Sequence, residues 1–188
     1  IVFDLYYSDD LMTLGKDPFD IAIRGGYAPD ERVIAKRLSG HEFKLVATPK
    51  FLESLDCSMP LSLDTLRSCK TLQYRGPKGL IDWYVMTDDN WERIDIKPSM
   101  ICNNGMILSR AALQHQGIVF MPQWGMQPYL DSGEVVEVPT ADIISLNRSR
   151  DIGIFLLYLR SKYQIPKIKL CVDFLLSHLG DHESSNYV

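Results

Sequence analysis

Hydrophobic and polar positions along this chain change their spacing several times, and each change marks an element. Residues 1–7 are β-branched and aromatic with one charge among them, which predicts a strand. Leu11, Met12 and Leu14 fit a short amphipathic helix ended by Gly15. The apolar run over residues 19–23 predicts a buried strand that stops at Arg24-Gly25-Gly26, where two glycines permit a tight turn. Residues 33–38 and 43–47 flank Ser39-Gly40-His41-Glu42 in the form of a hairpin. Thr48-Pro49 follows at once as an N-cap with proline at the first helical position. It predicts a helix over residues 49–55 whose free N–H groups can receive an anion.

Further along, strand-like stretches over residues 71–74, 80–86 and 94–102 are separated by Gly76-Pro77-Lys78-Gly79 and Thr87-Asp88-Asp89-Asn90, both turn compositions. Asn103-Asn104-Gly105 leads into a helix stopped by Gly117, and residues 118–121 form a short strand. Pro122 opens the next helix, Gly133 ends it, and residues 134–138 return as a strand. Residues 152–159 are an apolar strand. Over residues 166–179, Ile168, Cys171, Val172, Leu175 and Leu179 share one helical stripe with Lys167, Lys169 and Asp173 off it. The alternation of strand and helix predicts an α/β fold.

Composition narrows the function. Of 188 residues, 46% are hydrophobic and 23% charged, which excludes disordered and fibrous classes. The net charge of −4 and the pI near 5.5 disfavour a surface that neutralises phosphates, so this chain is not expected to hold nucleic acid by itself. Asp, Arg or Lys interrupts every apolar run before the roughly 18 residues a membrane span needs, so no membrane role is expected. Opening on Ile1 without a basic, then apolar leader, the sequence reads as a fragment or processed product.

The candidate chemistry is sparse. Cys57, Cys69, Cys102 and Cys171 form no C-x-x-C pair and read as reduced thiols of a cytosolic protein. His178 and His182 have metal-gripping spacing, but Gly180 between them in a Ser-rich tail points to a frayed helix end, and no metal is expected. The motifs of serine hydrolases, zinc proteases and nucleotide binders are absent. Asp9-Asp10 and Asp88-Asp89 read as solvated turns, and Trp83, Trp91 and Trp124 as packing residues in preference to ligand platforms. Binding without catalysis and without a cofactor fits what remains, with loops rich in Gly, Asn, Thr and Pro at strand ends.

In this order the blocks resemble the effector-binding domain of LysR-type transcriptional regulators. Residues 19–26 (FDIAIRGG), 33–38 (VIAKRL) and 44–52 (KLVATPKFL) are similar to the family's first part. Asn103-Asn104-Gly105 with Ala111-Ala112-Leu113, then residues 116–122 (QGIVFMP), 129–133 (YLDSG) and 172–176 (VDFLL), follow its second part and final helix. The resemblance implies an α/β domain of the type 2 periplasmic-binding-protein-like class, each of two lobes a mixed sheet flanked by helices. Residues 1–47 plus 161–188 would form lobe I, without the family's first strand and helix, and residues 48–160 lobe II. It also implies a small-molecule effector in the cleft between lobes, a homo-oligomer (dimer or tetramer), a cytoplasmic location, and DNA contact only through an upstream helix-turn-helix that this chain does not contain. A secreted solute-binding protein of the same fold, or a small α/β enzyme, are the alternatives.

The expected effector site is bounded by Arg24 and Gly25, Thr48 and Pro49, Asn103 and Asn104, and Met121 and Pro122. Each pair ends a predicted strand and three of the four begin a predicted helix, so N–H groups and helix dipoles would suit a carboxylate or other small anion. Thr48 would offer a hydroxyl, with helix capping as its alternative role. Asn103 and Asn104 would offer amides, and Arg24 either a charge for the ligand or a partner for Asp20.

Overall fold

Short β-branched and aromatic segments ladder into mixed sheets, and amphipathic helices cover their apolar faces. The computed structural model describes residues 1–8, 14–26, 33–146 and 152–180. In chain order the elements begin with β1 (Ile21–Gly26), β2 (Ile34–Gly40), β3 (Phe43–Ala47), α1 (Pro49–Glu53), α2 (Leu63–Ser68) and β4 (Thr71–Gly76). They continue with β5 (Gly79–Leu80), β6 (Trp83–Thr87), β7 (Asn90–Ile94), β8 (Met100–Cys102), α3 (Gly105–Leu113), β9 (Ile118–Pro122) and α4 (Gln123–Asp131). Last come β10 (Val136–Glu137), β11 (Ile144–Ser145), β12 (Gly153–Tyr158) and α5 (Pro166–Leu179).

The chain divides into two units, residues 1–42 with 151–188 and residues 43–150. The expected boundaries at 47/48 and 160/161 differ from these because of strand pairing. β3 ladders with β9 and β10 in the larger unit, and β12 lies between β1 and β2 in the smaller one. In the smaller unit the sheet order is β1-β12-β2, antiparallel throughout. Leu38, Leu156 and Tyr158 pack on Ile168 and Val172 of α5, the apolar stripe read from the sequence.

In the larger unit the order is β10-β3-β9-β4-β5, with β8 beside β4 and a second sheet β11-β6-β7. Val46, Leu72, Val119 and Met121 line one face under Leu108, Ala111, Ala112 and Met126 of α3 and α4. Leu45, Ala47, Ile118 and Phe120 line the other, against Phe51, Leu66 and the second sheet's Trp83 and Val85. The Trp83 and Phe120 rings meet edge to face with centroids 5.0 Å apart. Each such fully buried side chain contributes about 1.5–3 kcal/mol.

Several expectations are corrected. Residues 1–7 join no ladder among the described residues and their apolar side chains are 62–96% exposed, because a strand without a neighbour has nothing to pair its backbone with. β1 begins at Ile21 and runs through Gly25 and Gly26, which pair with Ile154 and Gly153 instead of turning. β2 and β3 are not a hairpin: only His41 and Glu42 separate them, yet each pairs within a different unit. The 80–86 stretch is split between β5 and β6, and the 94–102 stretch between the end of β7 and β8. α2 and β11 were not expected. Residues 11–13 of the expected first helix, and the tail carrying His182, lie outside the described residues. No described helix is long and apolar enough to cross a membrane, and no cluster of His, Cys, Asp and Glu among the described residues suits a metal.

Candidate functional site

The parallel strands β4, β8 and β9 bring their C-terminal ends to one edge of the larger unit's sheet, with Leu72 opposite both Met100 and Val119. β3 runs the other way, so its first residue, Phe43, sits opposite Pro122 at that edge. There Asn103 and Asn104 lead into α3, and Met121 and Pro122 into α4. Asn104 Oδ1 accepts from the N–H groups of Met106 (3.0 Å) and Ile107 (3.2 Å), so that side chain is spent on capping. α4 has no side-chain cap. Pro122 ends β9 and occupies the N-cap, one residue earlier than expected. Neither helix carries an acidic residue in its first turn, so no side-chain charge offsets either positive dipole end, and at α4 no side chain caps it.

Side chains around these N-termini are exposed. Asn103 is exposed beside Ile101, Met106 and Ile107, and Trp124 on the first turn of α4 is 63% exposed. Met121 is different. It is buried, with its methyl 3.5 Å from where a Cβ on Gly105 would stand, so it supports the start of α3 from below. Along α4, Gln123 donates to Gln127 (3.1 Å) and Gln127 to Asp131 (2.7 Å), a ladder that four-residue spacing made legible and the sequence reading passed over.

Thr48 and Pro49 follow the C-terminal end of β3, and antiparallel pairing with β9 puts them at the opposite edge of the sheet from Asn103 and Pro122. Thr48 is buried. Its Oγ1 accepts from the Phe51 N–H (3.3 Å) and shares a 2.8 Å hydrogen bond with His115 Nδ1, whose backbone is held at φ 62. An open hollow of about 440 Å³ adjoins, lined among others by Leu55, Ser68, Cys69, Lys70 and His115. Its hydroxyls are already engaged: Ser54 donates to Phe51 O, Ser68 to Thr65 O, and Thr65 shares a hydrogen bond with Ser62. Burial, with the nearby Cys57, pushes the Cys69 thiol up and keeps it protonated.

Arg24 and Gly25 belong to the smaller unit. A Cβ at Gly25 would lie 2.8 Å from His41 Nε2, so any larger residue there pushes the imidazole aside. Burial pushes the His41 imidazole below its ordinary value. Arg24 is half-buried, and the partner considered for it, Asp20, accepts instead from Lys162 at 2.7 Å. Nothing in the pattern of residues announced His41 or His115, because both roles arise from contacts distant in sequence.

The family model described as LysR substrate binding domain matches residues 2–180. The chain is 26% identical over 173 residues to the HTH-type transcriptional activator TtdR of Escherichia coli, covering 92% of this chain and 53% of that protein. It is 22% identical over 184 residues to an HTH-type transcriptional regulator of Xanthomonas campestris pv. campestris, covering 96% and 52%. Among solved structures, the regulatory domain of CrgA, a LysR-type transcriptional regulator from Neisseria meningitidis, is similar with a TM-score of 0.71 at 23% identity, over 89% of this chain and 78% of that one. The chain spans about half the length of the curated relatives it matches.

Proposed function

Because the chain belongs to the LysR substrate-binding domain family and has the type 2 periplasmic-binding-protein-like fold of its regulatory domains, we propose that it is the ligand-sensing part of a transcriptional regulator. In this reading it binds a small-molecule effector and performs no chemistry on it. Self-association, a cytoplasmic location and DNA binding through a segment outside this chain belong to the same proposal, which the regulator names of its relatives and its own net charge of −4 support.

The observation that carries the reading is the edge where α3 and α4 begin. Two helices of nine residues start there without a first-turn acid, and α4 starts without a side-chain cap. An anionic group placed at α4 accepts N–H bonds from its first turn, and Asn103 adds an amide from the neighbouring loop. Each charge-assisted bond is worth about 1.5–3 kcal/mol, so two of them supply about 3–6 kcal/mol, enough to hold a metabolite at several millimolar to tens of micromolar concentration. Calorimetric titration with small mono- and dicarboxylates tests this. An acyclic carboxylate that binds the parent chain is expected to lose about tenfold in affinity in Asn103→Ala and nothing in Thr48→Ala. Equal affinity in parent and Asn103→Ala, both folded, places the site elsewhere.

A further inference from the structure

One face of the smaller unit's sheet packs on α5, and the other carries a row of residues that the reading above leaves unused. Arg24 on β1 lies opposite Phe155 on β12, and Phe155 lies opposite Arg37 on β2. Cross-strand partners project from the same face. Ile21, Leu156 and Ile34 pack toward α5, and on each strand the row is out of phase with them along regularly paired residues, so Arg24, Phe155 and Arg37 share the face away from that helix.

Gly153 shapes this row. A Cβ at Gly153 would lie 3.1 Å from Arg37 Nε and 3.2 Å from the Phe155 ring, so guanidinium and ring sit side by side over bare backbone. Arg37 also donates to Ile152 O at 3.3 Å, which steadies its guanidinium there. On the other flank Arg24 is half-buried and makes no hydrogen bond or ion pair among the described residues, Asp20 being taken by Lys162. A guanidinium drawn partly out of water without an acceptor is poised for a charge-assisted bond.

Two guanidiniums, on strands about 10 Å apart, therefore flank an aromatic ring. We propose that Arg24, Phe155 and Arg37 bind a planar aromatic carboxylate, its ring on Phe155 and its carboxylate held by the arginines. The proposal rests on the reading of this domain as a small-molecule sensor, but its residues lie in the smaller unit alone. It names the ligand class, a flat anion, that helix N-termini by themselves do not select.

Calorimetric titration of the 188-residue chain with benzoate, cyclohexanecarboxylate and benzamide tests it. Benzoate is expected to bind in the millimolar range or tighter, cyclohexanecarboxylate more weakly for want of a flat face, and uncharged benzamide not at all. Arg24→Gln should weaken benzoate about tenfold or more, Arg24→Lys should recover part of that by keeping charge without the planar fork, and exposed Arg37→Gln should give a comparable loss. Phe155→Leu should weaken benzoate and leave cyclohexanecarboxylate unchanged, a split that mere unfolding does not produce. Absence of benzoate binding, or equal binding in Arg24→Gln and Phe155→Leu, overturns the proposal. Loss of benzoate in Asn103→Ala alone also overturns it while sustaining the larger unit's edge as the site. Loss in Arg24→Gln with none in Asn103→Ala sustains it.

Discussion

Thr48 and His115 hold each other by a 2.8 Å hydrogen bond, and that bond secures a histidine in a backbone conformation that favours glycine. Thr48→Ala is therefore predicted to lower stability by about 1–2 kcal/mol, the loss of an N-cap with some of the strain it held, and to leave ligand affinity unchanged. Urea unfolding and titration of the same variant check both halves. At His41, burial depresses the imidazole pKa, so the unfolded chain takes up its proton first as pH falls. Stability contributed by neutral His41 is complete above the ordinary imidazole value of about 6.5 and is lost as pH drops through it toward the lower folded value. Melting temperature should fall between pH 7.5 and 5.5, by less in His41→Gln; an identical fall in both would assign the acid sensitivity to other groups. Gly25→Ala pushes the half-buried His41 ring aside and should cost about 1 kcal/mol at neutral pH.

At the scale of elements, the helices and short strands with strong local signals were legible in the sequence. The Thr48-Pro49 cap, the helix that follows Asn103-Asn104-Gly105 and the α5 stripe each depend on residues within a few positions, and all three stand in the structure. What was not legible was pairing. Nothing local tells that β3 leaves β2 for a different sheet, or that antiparallel β3 carries Thr48 away from Asn103. The β6–β7 hairpin shows where local chemistry is imperfect: Asp88 and Asp89 take φ 47 and 61, a conformation Asn-Gly adopts with less strain. Replacing the pair by Asn-Gly should raise stability by about 1 kcal/mol. Inside the larger unit, Gln73 is 3% exposed and its Oε1 is buried without a hydrogen bond. Gln73→Met is predicted to stabilise by about 1 kcal/mol in urea unfolding. A loss of that size would place an ordered water on the amide.

At the scale of the whole molecule, the proposed function gives this chain a ligand to recognise and no DNA to hold by itself. A gel-shift assay at physiological salt should show no sequence-specific binding by residues 1–188, since net charge −4 leaves phosphates without a complementary surface. Under that proposal an effector engages the larger unit where α3 and α4 begin, and not the hollow beside Thr48. Hydrogen–deuterium exchange with and without an acyclic carboxylate found to bind tests this, because it maps protection along the backbone. Slowed exchange is expected at residues 105–107 and 123–125, with no change at residues 50–53. Protection confined to α1 and α2, with the starts of α3 and α4 exchanging as before, would contradict it.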